Sequence, residues 1–229
     1  MIYLIISDCF GRSKYSENKR DCLNLRQPLP NIPDNLRSYI EMAKDPLVKS
    51  ERLMAYTSLL CSLKVFFNID DPVIEKNADG KPFLKLNSSN VFFNISHSDG
   101  ICVVALSDEC DVGVDIQNEI DRSKALRLEE RYLKDVEFNK VSIPINAFHL
   151  NVFEDCFSFC KIDLDQSLDK SFTERWTSLE SVLKLNGAGF GNLSIAGRLA
   201  EKVKTDTRKI VFSNNNYYIS LSIKNIKNG

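Results

Sequence analysis

The sequence predicts an α+β protein made of two similar halves, each a small and mostly antiparallel sheet with helices. Short runs of β-branched and aromatic residues alternate with stretches of helical period, and turn-forming Asn, Asp, Pro and Gly separate them. The order is strand, helix, strands, helices, strands, which is typical of this fold class. We place the boundary near the turn "DECD", so that residues 1–110 form the N-terminal half and residues 111–229 the C-terminal half.

The first half opens with a strand and a long helix. The opening "MIYLIISD" is apolar without a preceding basic segment, which is typical of a strand rather than of a signal peptide. Residues Ser50–Phe67 have the period of a helix, since Leu53, Leu60 and Leu63 fall on one face. Such an apolar stripe predicts an amphipathic helix that packs on a core.

Three apolar runs in the middle of the chain predict three strands. They read "VFFNIS", "ICVVALS" and "VGVDIQ", and the turns "HSDG" and "DECD" separate them. Runs of this length and composition, joined by short polar turns, are typical of consecutive antiparallel strands. We therefore expect a three-stranded meander.

Two helices and two strands follow. The stretches "ALRLEERYLKDVEFNKV" and "SFTERWTSLESVLKLNG" have helical period, and the second ends on a glycine, as helices often do. The later runs "KIVFS" and "YYISLSI" predict strands. The long segment between the two helices carries alternating Phe and Leu residues, which could form an additional hairpin or a flap.

The composition narrows the class of function. Lys and Arg number 30 against 31 Asp and Glu, so the net charge of -1 gives no general attraction to nucleic acid. A hydrophobic content of 43% is enough for a sizeable core. No apolar run approaches the length of a membrane span, and we expect a cytoplasmic protein whose seven cysteines are reduced thiols.

Two carboxylates are candidates for one metal site. In "VGVDIQ" the strand alternation places Asp115 and Gln117 on the same face. In the second predicted helix Trp176, Glu180 and Lys184 lie one turn apart. If that helix packs on the strand, Asp115 and Glu180 could converge on a hard cation such as Mg²⁺, which takes carboxylates together with phosphate oxygens.

Each of these residues also has a purely structural interpretation. A Glu180 to Lys184 pair is compatible with an exposed helix salt bridge. Asp115 could be a structural aspartate whose hydrogen bonds are satisfied. His97, one of two histidines, could be an ordinary hydrogen-bonded loop residue. The residue types alone do not choose between these alternatives.

Taken together, the motifs resemble a known enzyme family. "KPF", "FNISHS", "VGVDIQ" and "WTSLESVLKLNGAG", in this order and over about Arg52 to Gly189, closely resemble phosphopantetheinyl transferases of the large, monomeric, surfactin-synthetase-activating type. The resemblance implies two pseudo-symmetric halves with coenzyme A and Mg²⁺ in the cleft between them. It also implies transfer of the phosphopantetheine arm to a serine of an apo acyl or peptidyl carrier protein, without nucleic-acid or membrane partners.

The resemblance assigns roles to particular residues. Coenzyme A phosphates are expected to contact Arg52, Lys81, Ser96 and His97, with His97 at the 3′-phosphate. Asp115 and Glu180 match the Mg²⁺ ligands, and Gln117 stands at a third metal position. Lys184 matches a lysine on the pyrophosphate, and Glu137 matches the glutamate that takes the proton from the carrier serine, since a serine hydroxyl needs a nearby base.

Three features depart from the family pattern. Gln117 brings no charge where the family often has a glutamate, and Leu179 stands where a lysine usually precedes the helix glutamate. The segment between Glu137 and Trp176 is also longer than the family pattern leads us to expect. A non-catalytic relative that binds coenzyme A or a carrier protein without transfer is therefore the alternative hypothesis.

Overall fold

The computed structural model confirms the α+β class. It describes residues 1–9, 22–25, 31–85, 91–151, 157–166, 171–188 and 195–224. The strands in this part are β1 (Ile2–Asp8), β2 (Cys22–Leu25), β3 (Ile74–Lys76), β4 (Pro82–Leu84), β5 (Phe92–Ser98), β6 (Ile101–Ser107), β7 (Val112–Asn118), β8 (Asn146–Asn151), β9 (Phe157–Lys161), β10 (Asp165–Gln166), β11 (Val203–Phe212) and β12 (Asn215–Lys224). The helices are α1 (Asp34–Glu41), α2 (Pro46–Phe67), α3 (Arg122–Tyr132), α4 (Phe172–Leu185) and α5 (Ala196–Ala200).

The larger sheet has six strands in the order β2-β9-β8-β1-β6-β5. Its pairs are antiparallel except that β1 and β8 run parallel. The predicted hairpin in the long segment is present as β8 and β9, and it extends this sheet rather than forming a separate flap. The sheet therefore takes strands from both sides of the boundary that we predicted near residue 110.

The second sheet has the order β10-β11-β12-β7, and all its pairs are antiparallel. The predicted meander was wrong at its third strand, because β7 pairs with β12 and not with β6. The reason is that β1 and β5 already occupy the two edges of β6. The chain therefore leaves the first sheet after β6 and starts the second with β7.

Helix α2 packs on the first sheet and is longer than the sequence predicted. Asp45 caps its N-terminus by accepting from the Leu47 amide at 2.7 Å, and Pro46 occupies the first turn. Leu59 and Leu63 are fully buried in the core beneath it, whereas Leu53 is 48% exposed. The apolar stripe is thus correct except at its first residue.

Helix α3 is shorter than the sequence predicted. It ends at Tyr132, and the rest of the predicted helix forms a turn and an irregular segment. Leu133 is buried with the residues of α4, and Val136 and Phe138 pack against the same helix. The residues after Tyr132 therefore pack against α4 instead of continuing helix α3.

Helix α4 lies very close to the second sheet. A Cβ atom on Gly113 of β7 would lie 2.2 Å from the Ser181 carbonyl oxygen, so only glycine allows this approach. Small hydroxyl side chains fill the rest of the contact. This hydroxyl layer, whose members are buried and bonded to one another, consists of Ser178, Ser181, Thr205, Thr207, Ser220 and Ser222.

The apolar core lies between and beside the two sheets. Alternate residues of β7, namely Val114 and Ile116, pack with residues of β1 and β12. The other face of β7 is turned to α4, so Asp115 lies under the helix as the strand alternation predicted. In the described ranges, no helix combines the length and apolar character needed to cross a membrane.

Candidate functional site

Side chains of β5 join the two sheets. The amides of Val114 and Ile116 donate to the Asn94 Oδ1 and Ser96 Oγ atoms at 2.9 and 3.2 Å. The Asn118 amide donates to Ser98 Oγ at 3.2 Å. Edge strands β5 and β7 are therefore linked through polar side chains instead of backbone pairing. This link explains why polar residues alternate in "NISHS".

Ser96, Asp115 and Lys184 form one contact cluster at this junction. Ser96 Oγ donates to Asp115 Oδ1 at 2.8 Å, and Lys184 Nζ donates to the same oxygen at 2.6 Å. Lys184 Nζ is also 2.7 Å from Ser96 Oγ. One residue from each of β5, β7 and α4 thus meets at a single carboxylate oxygen.

The second oxygen of Asp115 has no donor. Asp115 Oδ2 is the one buried side-chain oxygen or nitrogen among the described residues that lacks a hydrogen-bond partner. A carboxylate oxygen that is removed from water without a partner costs roughly 1–3 kcal/mol or more. A missing positive ligand would account for this cost.

Glu180 lies beside Asp115 and is half-buried. Burial, and next the negative charge of Asp115, raise the pKa of Glu180 to about 8, although Lys184 acts in the opposite direction. Glu180 can hydrogen-bond to Asp115 only in its protonated form, because two carboxylates are both acceptors. Two neighbouring acids that resist joint ionisation are the arrangement that a bound cation relieves.

The donor set fits a hard divalent cation in part. Asp115 and Glu180 offer carboxylate oxygens, and half-buried Gln117 lies two residues from Asp115 on the same face of β7. Among the residues that the structure describes, no group of three or more His, Cys, Asp or Glu side chains could hold a metal. Any cation here would therefore need oxygens from a ligand or from water to complete its coordination.

His97 faces the other side of β5. Its Nδ1 atom is 2.7 Å from Glu51 Oε2, and the Gly100 amide donates to Glu51 Oε1 at 2.7 Å. Burial acts to raise the pKa of Glu51, but the bonds from His97 and Gly100 outweigh it, so the pKa lies below its usual range. Glu51 is therefore an ionised carboxylate at neutral pH, while the His97 side chain is 33% exposed.

The structure places the two other predicted phosphate-binding residues in separate contacts. Arg52 donates to the Tyr39 carbonyl oxygen at 2.9 Å, and its guanidinium lies 4.2 Å from the centre of the Tyr39 ring. Lys81 Nζ donates to Asp111 Oδ1 at 2.7 Å and to the Leu185 carbonyl at 3.0 Å. Lys81 thus ties the start of β4 to the C-terminal end of α4.

The structure does not place Glu137 in direct contact with this cluster. Glu137 is exposed on the irregular segment after α3, between Val136 and Phe138, which both pack against α4. Leu179, the departure on α4, is completely buried with Leu133 and Trp176. A side chain at that position contacts the core rather than the cluster at Asp115.

Sequence reasoning missed Glu51 and Asn94. Glu51 lies near the start of α2, where an acidic residue is ordinarily solvent-exposed, so the sequence carries no signal for its burial. Asn94 did carry one, because it alternates with Ser96 and Ser98 in an otherwise apolar strand. A row of polar side chains on one face of a strand indicates a polar partner.

Comparison with known proteins does not assign the chain to a family. The sequence matches no known protein-family profile, and no curated protein is significantly similar to it.

Proposed function

We propose that the protein is a magnesium-dependent 4′-phosphopantetheinyl transferase that uses coenzyme A and an apo carrier protein, as a cytoplasmic monomer. The observation that carries this proposal is the pair of neighbouring acids Asp115 and Glu180, in which the buried Asp115 Oδ2 atom has no donor whenever Glu180 is ionised. The motif resemblance assigns a metal to the same two residues. Independent physical and sequence considerations therefore support one site.

Asp115 and Glu180 are the residues that would hold Mg²⁺, with Gln117 contributing an amide oxygen directly or through water. The bound ion would supply positive charge to the pyrophosphate of coenzyme A, where negative charge develops during transfer. Burial first, and next the charge of Asp115, raise the pKa of Glu180, and a bound cation would offset both effects. Lys184 supplies only one positive charge, at Asp115 Oδ1.

Ser96 and Lys184 would bind the pyrophosphate beside the metal. The Ser96 hydroxyl and the Lys184 ammonium already share Asp115 Oδ1, so both lie within one hydrogen-bond length of the metal ligand. Lysine acts as a point charge toward a phosphate oxygen. On the other face of β5, the half-exposed His97 would contact the 3′-phosphate. Both faces of "NISHS" would thus serve one ligand.

The proposed reaction forms one bond and breaks one. The carrier serine oxygen attacks the phosphorus that bears the pantetheine arm, and the pyrophosphate P–O bond breaks to release adenosine 3′,5′-bisphosphate. The serine proton passes to a base, for which Glu137 is the candidate. Glu137 is exposed, so it is accessible to the hydroxyl of a docked carrier protein.

Arg52 and Lys81 are the two proposed phosphate-binding residues that would have to leave existing contacts. Each is engaged with protein groups, Arg52 with Tyr39 and Lys81 with Asp111. Lys81 is only 12% exposed, so a phosphate would have to compete with a close ion pair. Their phosphate contacts therefore require these side chains to change partner.

The test is incubation with coenzyme A, Mg²⁺ and several apo carrier proteins, read by intact mass. A mass gain equal to one phosphopantetheine on the carrier, lost with Glu180→Gln, is the expected result. Exposed Glu41→Gln, on α1, is the matched control and should transfer normally. Coenzyme A binding without transfer to any carrier would support the non-catalytic alternative, and neither binding nor transfer would refute both.

A further inference from the structure

We propose that Glu51 is a positioning residue that fixes the orientation and tautomer of His97, so that the His97 Nε2 atom is presented to an anionic ligand. The proposal rests on the proposed function for the identity of that ligand, a phosphate of coenzyme A. The arrangement of Glu51, His97 and Gly100 is independent of that identity.

The contact is short and protected from water. Glu51 Oε2 lies 2.7 Å from His97 Nδ1, and the Glu51 side chain is only 5% exposed. A charge-assisted hydrogen bond is stronger when water is excluded from it. Because the Glu51 carboxylate can only accept, the His97 Nδ1 atom must carry the hydrogen.

The backbone locks Glu51 in this position. Asp99 and Gly100 form the two-residue turn between β5 and β6, with φ angles of 48° and 81°. Paired positive φ values are those of the tight hairpin turns that "DG" favours. This turn directs the Gly100 amide at Glu51 Oε1, at 2.7 Å. Both carboxylate oxygens are therefore occupied, and the carboxylate cannot rotate away.

The consequence concerns the second nitrogen of the ring. With Nδ1 committed to Glu51, the neutral imidazole offers a lone pair at Nε2, and the protonated ring offers an N–H donor there. A phosphate needs the donor. A carboxylate at Nδ1 leaves the Nε2 position free for that donor, and it holds the ring in one rotamer before a phosphate arrives. Arg52, the next residue of α2, is engaged with Tyr39.

Nuclear magnetic resonance can read the tautomer directly, since the chain has two histidines. In a His149→Gln background, ¹⁵N shifts of His97 at a pH of about 8.5 report which nitrogen of a neutral ring carries hydrogen. We expect the Nδ1–H form to dominate. In Glu51→Gln the amide oxygen can take the place of only one of the two carboxylate oxygens that His97 and Gly100 use. In Glu51→Ala no acceptor is left, so in both variants the Nε2–H form should rise.

The control is Glu41→Gln, which changes an exposed carboxylate and should leave the His97 shifts as they are. Dominance of the Nε2–H form in the parent protein would overturn the proposal. Dominance of the Nδ1–H form in both Glu51 variants would also overturn it. These readouts need no coenzyme A, so they stand apart from the proposed function.

A kinetic arm tests the positioning role. Glu51→Gln should raise the KM for coenzyme A about tenfold with a much smaller effect on kcat, which is a typical loss for a residue that orients a ligand-binding group. Glu51→Asp should recover part of the loss. An unchanged KM in Glu51→Gln, with the tautomer altered, would show that His97 does not need Glu51 for ligand binding and would overturn this role. Absence of any transfer by the parent protein would count against the proposed function instead.

Discussion

Two buried aspartates on the second sheet differ in how their oxygens are satisfied. Asp206 on β11 accepts from the Ile143 amide at 2.8 Å and from the Arg208 guanidinium at 2.8 and 3.2 Å, all at Oδ2. Arg208 in turn donates to the Ile143 carbonyl at 2.7 Å. Asp115 on β7 also has both of its donors on one oxygen, but its other oxygen is fully buried, and the nearest group to offer it a proton is a second acid, Glu180.

The difference distinguishes a carboxylate whose role is structural from one that we propose to bind a metal ion. Asp206 fastens the segment before β8 to β11, and its charge is balanced within the protein. Asp115 is balanced by Lys184 on one side only. A buried carboxylate that is incompletely satisfied destabilises the fold, and a bound cation, as we propose for Asp115, would offset that cost.

The largest effect is expected at the incompletely satisfied pair. Asp115→Asn or Glu180→Gln should lower magnesium-dependent transfer on the order of a hundredfold or more, because a neutral amide does not balance a divalent cation. Mg²⁺ alone should raise the Tm of the unmodified protein but not of either variant. Asp206→Asn, assayed per folded molecule, is the control. Transfer by Asp115→Asn near the unmodified rate would show that Asp115 is no different from Asp206.

Replacement of Asp206 should reduce stability rather than activity. Asp206→Ala removes the charge that Arg208 and the Ile143 amide share, and we expect a loss of about 3 kcal/mol in the free energy of unfolding. Urea unfolding measures this loss. Asp115→Ala should cost less, because loss of the Lys184 ion pair is offset in part by relief of the repulsion between Asp115 and Glu180. Equal losses in the two variants would remove the distinction between the two aspartates.

A third buried group extends the comparison to pH. Burial lowers the pKa of His149 to about 4, although Asp8 attracts the charged form. The unfolded chain therefore binds this proton at higher pH than the folded chain does, and stability falls as the pH drops from about 6.5 toward 4. Between pH 7 and 5 the loss assigned to His149 is about 2 kcal/mol. His149→Gln should remove that part of the fall in unfolding free energy between pH 7 and 5, measured by urea unfolding at each pH. An unchanged pH dependence would contradict the assignment.

The smallest effect is expected at Gln117. Gln117→Ala should reduce transfer only a fewfold, roughly, because water can replace a neutral amide at modest cost. Gln117→Glu should shift the Mg²⁺ requirement to lower concentration, since it adds Coulomb attraction. A magnesium titration of the transfer rate compares both with Asp115→Asn. Equal damage in Gln117→Ala and Asp115→Asn would show that charge does not govern this site.

Local pattern in the sequence predicted most elements but not their pairing. The period of α2 and α4, the strand alternation of β7 and the late strands follow from residue type, because each buries one face. The meander failed because β1, from the distant N-terminus, competes for β6. The end of α3 was missed because it depends on packing against α4.

The part of the candidate site that could be predicted is the part in which the period of a strand or helix determines the face on which a side chain lies. Alternation put Asp115 on one face, and helical spacing put Glu180 and Lys184 on one stripe. Their meeting depends on Gly113 and the hydroxyl layer, which let α4 approach the strand, and a single sequence does not show that contact. Glu51 was missed for a related reason, since the turn at Gly100 reaches it from another element.

Because β7 belongs to one sheet and is linked to β5 of the other, hydrogen exchange of its amides would show whether the two sheets separate. All of β7 is in register with β12, but the amides of Val114, Ile116 and Asn118 donate to side chains of β5. The amides of the odd-numbered residues therefore face β12. Separation of the sheets would expose only the amides that donate to β5 to solvent exchange. Neighbouring amides along one strand would then exchange deuterium at alternating fast and slow rates. A ligand that bound at the proposed site and held the sheets together would make those rates uniform, so hydrogen exchange along β7 would report its binding.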